Sequence, residues 1–411
     1  MRKPPLTRTV PGLLAGAAVL ALAPFATAHA QPVWPDVVVH LHAAGQANIV
    51  DTESDRVVAS LETCPGGTLG STSPDATRVY VSCAAEGETD VVVIDLENRE
   101  VAERVATGNR PKHGLVSPDG RVVGVDHWAL SDGKLRVTFL DTANDEIMQQ
   151  LDITVQGEAD GVTSMHNAWS EDSRYFFTMD RVDNRMVVVD TQDWSTVKVD
   201  SPTAPHYPVP SPDGDELWLV HEGDDETGPG VVVFDLTRDG YPEITRLSMP
   251  LTGEEVEEAH HGNFTQDGSL FMVLNRGPGG DARGREVAFF DAESKELVHR
   301  VTTASNGVGH SYNSPDGRHV VVTNYGNNVI TIIDLEEMRT VADLTIGEGR
   351  MGHVAFTEDG RYGYVSNAGD GNLHKVDMEA FEVVREIETG GKSGGGQVLN
   401  VWTNVFEELP R

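Results

Sequence analysis

Seven recurrent turn aspartates, Asp75, Asp119, Asp172, Asp213, Asp267, Asp316 and Asp359, bring the chain's chemistry into register. Six residues before them stand Leu69, His113, His166, Tyr207, His261, His310 and His353, with His206 and His260 directly beside Tyr207 and His261. Eight residues after them stand Cys83, His127, Asp180, His221, Asn275, Asn324 and Asn367. Neutral imidazole is the commonest protein ligand for zinc and copper, and carboxylate oxygen is a good zinc partner, whereas calcium and magnesium prefer all-oxygen shells. Taken singly, each histidine reads as a strand cap that hydrogen-bonds a neighbour. Recurrence at one repeat position points instead to a transition metal. Zinc takes three or four ligands, so the whole set exceeds one ion. His113, His127, His166 and Asp180, from two neighbouring units, make the compact candidate site, which His221 extends. His261, His310 and His353 would form a second site, coordinate across a channel or bind a larger ligand.

The elements that must position these residues are repeats. Short apolar runs ending in aspartate recur eight times, at Asp51, Asp95, Asp141, Asp190, Asp235, Asp291, Asp334 and Asp377, spaced by 43 to 56 residues. Turns of the type SPDG precede the later seven, and Asp-Gly between β-rich runs marks a hairpin because glycine accepts positive φ. Each unit therefore reads as a four-stranded blade. Asp36 to Leu61 supplies three strands without a first, and Gln397 to Phe406 is a lone strand at the other end. Pairing the two closes the ring and removes exposed sheet edges. The expected fold is all-β, an eight-bladed β-propeller whose closing blade is shared between N- and C-terminal strands. Residues before and after each turn should face one another across the hairpin, giving His113 with His127, His166 with Asp180, Tyr207 with His221, His261 with Asn275, His310 with Asn324 and His353 with Asn367. The first strand of each blade is innermost, so the ring before the turn should line the central channel. His40 or His42 would complete it from the closing blade.

Residues 1–30 read as a signal peptide: Arg2, Lys3 and Arg8, an apolar run from Gly12 to Phe25, then Ala28-His29-Ala30 before Gln31. The mature domain is expected over 31–411, in the periplasm, as a soluble monomer. The net charge of −34 becomes about −37 without the three basic leader residues, which excludes nucleic acid and anionic membrane as partners. Cys64 and Cys83 are compatible with one disulfide in that compartment.

The segment SPDGRHVVVTNYGNNVITIIDLEE, Ser314 to Glu337, resembles the YVTN propellers, whose repeat has this form. That resemblance spans nearly the whole mature chain and implies fold rather than activity. The exported leader, whole-chain propeller and channel histidines are similar to the AztD-type zinc metallochaperones. This resemblance implies Zn²⁺ as the bound metal and the solute-binding protein of a zinc ABC transporter as the partner, with no enzyme activity. An AztD-like flexible His-rich stretch after the leader is not evident, since QPVWPDVV runs straight into a strand. The clasped eight-bladed ring also resembles the d1-haem domain of cytochrome cd1 nitrite reductases and related haem-biosynthesis proteins, with GQANIVDTESDRVVASLE (Gly45 to Glu62) of that type. That alternative implies channel histidines as axial ligands and Lys112, Arg276 and Arg350 for the haem carboxylates. A third resemblance, to the propeller half of nitrous oxide reductase, would require a cupredoxin domain that is not expected here. Hydrolysis has no support: Ser117, Ser211 and Ser314 belong to the turns.

Overall fold

The computed structural model describes residues 37–224, 226, 228–249, 258–277, 283–389 and 395–400. The expected signal peptide and its cleavage site, and the chain after Asn400, lie outside them. The β-branched runs form eight four-stranded antiparallel sheets. Blades one to seven begin with the strands Leu69–Thr72, Pro111–Val116, Asn167–Trp169, Pro205–Pro210, Ala259–Phe264, Val308–Asn313 and Met351–Phe356. The eighth blade pairs Gly395–Asn400 with Val37–His42, followed by Gln46–Asp51 and Arg56–Glu62. The chain is thus an all-β eight-bladed propeller closed by strands from both ends, as the repeats imply.

Burial follows strand position. The third strands are buried on both faces, as in Val91–Ile94, while outer strands such as Arg56–Glu62 alternate between exposed and half-buried residues. The core lies between blades. Phe139 of blade two meets Trp169 and Phe176 of blade three with ring centroids 6.1 and 5.3 Å apart, and Trp218 meets Phe264 and Phe271 at 5.4 and 4.7 Å. Unpaired edges of the innermost strands are satisfied by neighbouring blades: Asn167 Nδ2 donates to the His113 carbonyl (3.0 Å) and Trp169 Nε1 to the Leu115 carbonyl (2.9 Å).

The repeated turn is a single device. In blade two, Ser117 Oγ donates to Asp119 Oδ1 (2.7 Å), the Arg121 and Val122 amides donate to Asp119 Oδ1 and Ser117 Oγ, and Gly120 adopts φ 75°. The same hydroxyl–carboxylate bond recurs in all seven turns at 2.5–2.7 Å.

Cys64 and Cys83 form a disulfide across 19 residues, tying the end of the closing blade to blade one. A loop of this length restricts the unfolded chain by about 3 kcal/mol. Replacing both cysteines by serine should lower unfolding free energy in urea by about that amount; a loss under about 0.5 kcal/mol would show that the clasp does not depend on the bridge.

Candidate functional site

The turn sets the register of each inner hairpin, and it is not the register the spacing suggests. His113 pairs with Asp126, Tyr207 with Val220 and His310 with Thr323, so the residue six before the turn faces the one seven after it. Toward the mouth the strands fall out of step by one, with breaks between Pro111 and His113, Pro205 and Tyr207, Ala259 and Gly262, Val308 and His310, and Met351 and Val354. Beyond the break Pro111 pairs with His127 and Pro205 with His221. Each break is a β-bulge, with one extra residue in the innermost strand.

The bulged residues converge. His261 Nδ1 donates to the Gly309 carbonyl (2.5 Å), which leaves its Nε2 as acceptor for His166 Nε2, 3.1 Å away. His261 stacks on His310 at 4.6 Å, and His310 lies 4.4 Å from His353. Tyr312 OH is 2.5 Å from His353 Nδ1. One residue nearer the mouth, His206 packs 4.4 Å from His260, and both approach His261, at 5.2 and 4.3 Å. His40 of the closing blade is bonded through Nδ1 to Thr389 Oγ1 and packs 4.1 Å from the tilted ring of His42.

Carboxylates behind this cluster orient it. His206 Nδ1 donates to Glu222 Oε1 (2.5 Å), and Arg181 holds Glu222 Oε2 at 2.8 Å. Nδ1 therefore carries the proton, and Nε2 keeps its lone pair. That Nε2 is buried with no hydrogen-bond partner among the described residues. Against burial, the bond from His206 and the Arg181 guanidinium hold the Glu222 carboxyl well below the usual range. On the next blade His260 Nδ1 lies 3.5 Å from Glu258, which pairs with Arg276; burial pushes the Glu258 carboxyl up to about 7. Asp126 accepts from Ser164 Oγ (2.8 Å) and Asn167 Nδ2 (3.0 Å), and burial raises it to about 7 and lowers Lys112 to about 8.

The structure brings together His113, His166, His261, His310 and His353 from the expected ring. It does not bring His127, Asp180 and His221 to them. A one-residue change of register turns a side chain to the opposite face of a sheet. His127 lies 2.9 Å from the Arg136 carbonyl and 3.2 Å from Thr107 Oγ1. Asp180 caps the amides of Val182 and Asp183 and meets Lys198. His221 packs against Gly230. Asn324 and Asn367 cap turns in the same way as Asp180. The expected set His113, His127, His166 and Asp180 is thus split between two faces, and none of the six expected cross-strand pairs forms. Among the described residues, three groups bring three ligand atoms within 4.8 Å of one another: His166, His206 and His261; His206, Glu222 and His260; and Asp370, His374 and Glu386. Sequence reasoning passed over Asp126, Glu222 and Glu258. The last two stand nine residues from their turn aspartates, at positions that elsewhere hold Arg110, Trp128, Arg181, Arg276, Tyr325 and Arg350.

The family model of the cytochrome D1 heme domain matches residues 265–401, a third of the chain. A solved structure of the dihydro-heme d1 dehydrogenase NirN in complex with DHE is similar in fold, with TM-score 0.72 and 19% identity over 92% of this chain and 78% of that one. Hydrazine synthase of Kuenenia stuttgartiensis follows with TM-score 0.59, 17% identity and coverage of 77% and 96%. A functionally unknown protein of Desulfotomaculum acetoxidans gives 0.57, 10%, 76% and 96%. No curated protein sequence matches the chain. These findings correct the expectation of Zn²⁺ as cofactor: the matching family is a haem domain, and the four-residue zinc set is not assembled. The AztD resemblance gains nothing from them.

Burial lowers eleven histidines at or behind the channel, His40, His42, His113, His127, His166, His206, His221, His260, His261, His310 and His353. His42, His127 and His221 fall to about 4, and His113 and His353 to about 3. An unfolded histidine takes up its proton near 6.5. From there down to about 4 the unfolded chain binds more protons than the folded one, so stability falls with pH, by up to about 1.4 kcal/mol per pH unit for each such imidazole. Asp126 and Glu258 act oppositely over part of this window, two groups against eleven. Urea midpoints should therefore drop steeply between pH 7 and 5; an unchanged midpoint would mean the imidazoles are not buried neutral.

Proposed function

We propose that this chain is an exported tetrapyrrole-binding propeller of the d1-haem kind, with His206 as its nitrogen ligand to iron. One observation carries the reading: His206 is fixed by Glu222 in the tautomer that leaves a buried, unpartnered Nε2 lone pair, inside a rim of cations and aromatic rings. A haem takes an axial ligand, for which an imidazole nitrogen is a usual donor, and its carboxylates are met by basic groups. The rim offers Arg110, Lys112, Arg276 and Arg350, with Trp128 and Tyr325 beneath them. The haem-domain match over residues 265–401 and the NirN-like fold support the same choice. Bound there, such a haem would supply an iron centre able to exchange electrons and take small ligands.

The chain's own part is binding and orientation. Glu222 makes His206 a stronger donor by accepting a hydrogen bond from its Nδ1–H, as carboxylates do behind metal-ligating histidines. The inner imidazoles, joined from blade three to blade five by the His166–His261 bond, exclude water beneath the ligand. The leader read in the sequence and the Cys64–Cys83 bridge support a periplasmic location.

Titrating the purified protein with ferric haem d1 at neutral pH should give a saturable Soret change at one equivalent per chain. His206→Ala should weaken binding by about tenfold or more and move the band, and Glu222→Gln should weaken it less. No spectral change with the wild-type protein would sink the reading; an unaltered His206→Ala would remove that residue from the iron.

A further inference from the structure

The rim carries two cation–aromatic stacks. On blade two the Arg110 guanidinium lies 5.2 Å and the Lys112 ammonium 4.5 Å from the centre of the Trp128 ring. On blade six the Tyr325 ring lies 5.6 Å from the Arg276 guanidinium and 5.8 Å from that of Arg350, brought from blades five and seven. Blades two and six are four steps apart in a ring of eight, so the stacks face each other across the mouth.

The fold pairs Arg276 with Glu258 and sets Lys112 near the Asp126 carboxyl, but among the described residues it gives the other cation of each stack no such partner. The chain has 65 acidic and 31 basic side chains, yet Arg110 and Arg350 have no ion-pair partner among the described residues. Trp128 also has an Nε1 with no hydrogen-bond partner among the described residues. Tyr325 OH sits over the imidazole cluster, 3.3 Å from His310 Nε2 and 3.4 Å from His260 Nε2. The second stack thus borders the site where the flat ligand is placed. A guanidinium on an aromatic face keeps its outer N–H groups free to meet a carboxylate, and its planar fork suits that partner.

Resting on the tetrapyrrole reading, we infer that the stacks are opposed carboxylate clamps, selecting a macrocycle with anionic groups on opposite edges over one with both on the same edge. A ligand of the second kind satisfies one stack and leaves the other unmet. A ligand of the first kind satisfies both.

Two ferric porphyrins separate these cases: coproporphyrin III, with a propionate on each pyrrole, and protoporphyrin IX, with both propionates on one edge. In absorption titrations of the full mature chain at neutral pH, the wild-type protein should bind the first about tenfold more tightly. Arg350→Ala should erase that preference by weakening coproporphyrin III about tenfold more than protoporphyrin IX, and Arg110→Ala should do the same from the other side. Arg110→Ala with Arg350→Ala should weaken both probes. Both side chains are at least partly exposed, so the fold is expected to hold, and an unchanged far-ultraviolet spectrum checks it. Equal affinities for the two probes, unaltered by Arg350→Ala, would overturn the clamps and leave the tetrapyrrole reading standing. No Soret change with either probe would overturn both.

Discussion

Each innermost strand is held at two ends that do not agree. At the turn, the hydroxyl–aspartate bond and the closing backbone pair, such as the Ser117 amide to the Val122 carbonyl, set the hairpin register. At the mouth, the amide nine residues after the turn aspartate donates to the carbonyl nine before it in all seven blades, from Ala84 to Gly66 through Ala368 to Arg350, at 2.8–3.4 Å. The two registers differ by one residue, and the inner strand absorbs the difference as a bulge. A bulge breaks the strict alternation of faces, so neighbours such as His206 and Tyr207, or His260 and His261, both reach the channel cluster. The density of imidazoles at the mouth depends on that extra residue.

Burial then decides what the imidazoles can do. Packed against one another and against the blade ends, they stay neutral, and neutral imidazole is the form that donates a lone pair. Which nitrogen donates is fixed from behind. Glu222 accepts a hydrogen bond from His206 Nδ1–H, the Gly309 carbonyl accepts one from His261 Nδ1–H, and His166 uses the His261 Nε2 lone pair. Among the described residues, His206 Nε2 is left buried without a hydrogen-bond partner. The cations of the rim lie in a strongly acidic protein, where they stand out as local reversals of sign around the same opening.

The fold was legible because its determinants are local and repeated: the Ser/Thr-x-Asp turns, the buried third strands ending in aspartate, and the split closing blade. The ring of His113, His166, His261, His310 and His353 was legible for the same reason. The partners of that ring were not. Register across a bulge belongs to two paired strands, and no single residue type announces it, so His127, Asp180 and His221 were placed on the wrong face. Glu222 and Glu258 look like two more solvated carboxylates in an acidic chain, and Asp126 is masked by its neighbour His127. The one available signal was the repeat position nine residues from the turn, where large polar and aromatic side chains replace the small ones of Ala84 and Ala368. The expectation of zinc rested on the AztD-type resemblance together with reading the two rings as one cluster.

An iron tetrapyrrole at the mouth of this propeller is the proposal that most needs testing. The most direct measurement is the absorption spectrum and metal content of the protein isolated from the cell envelope of its own host, without added metal, haem or chelator. The account predicts a Soret band with bands to longer wavelength, and iron in proportion to the extracted tetrapyrrole. A colourless protein without extractable tetrapyrrole, from cells that contain d1-type haem, would contradict it.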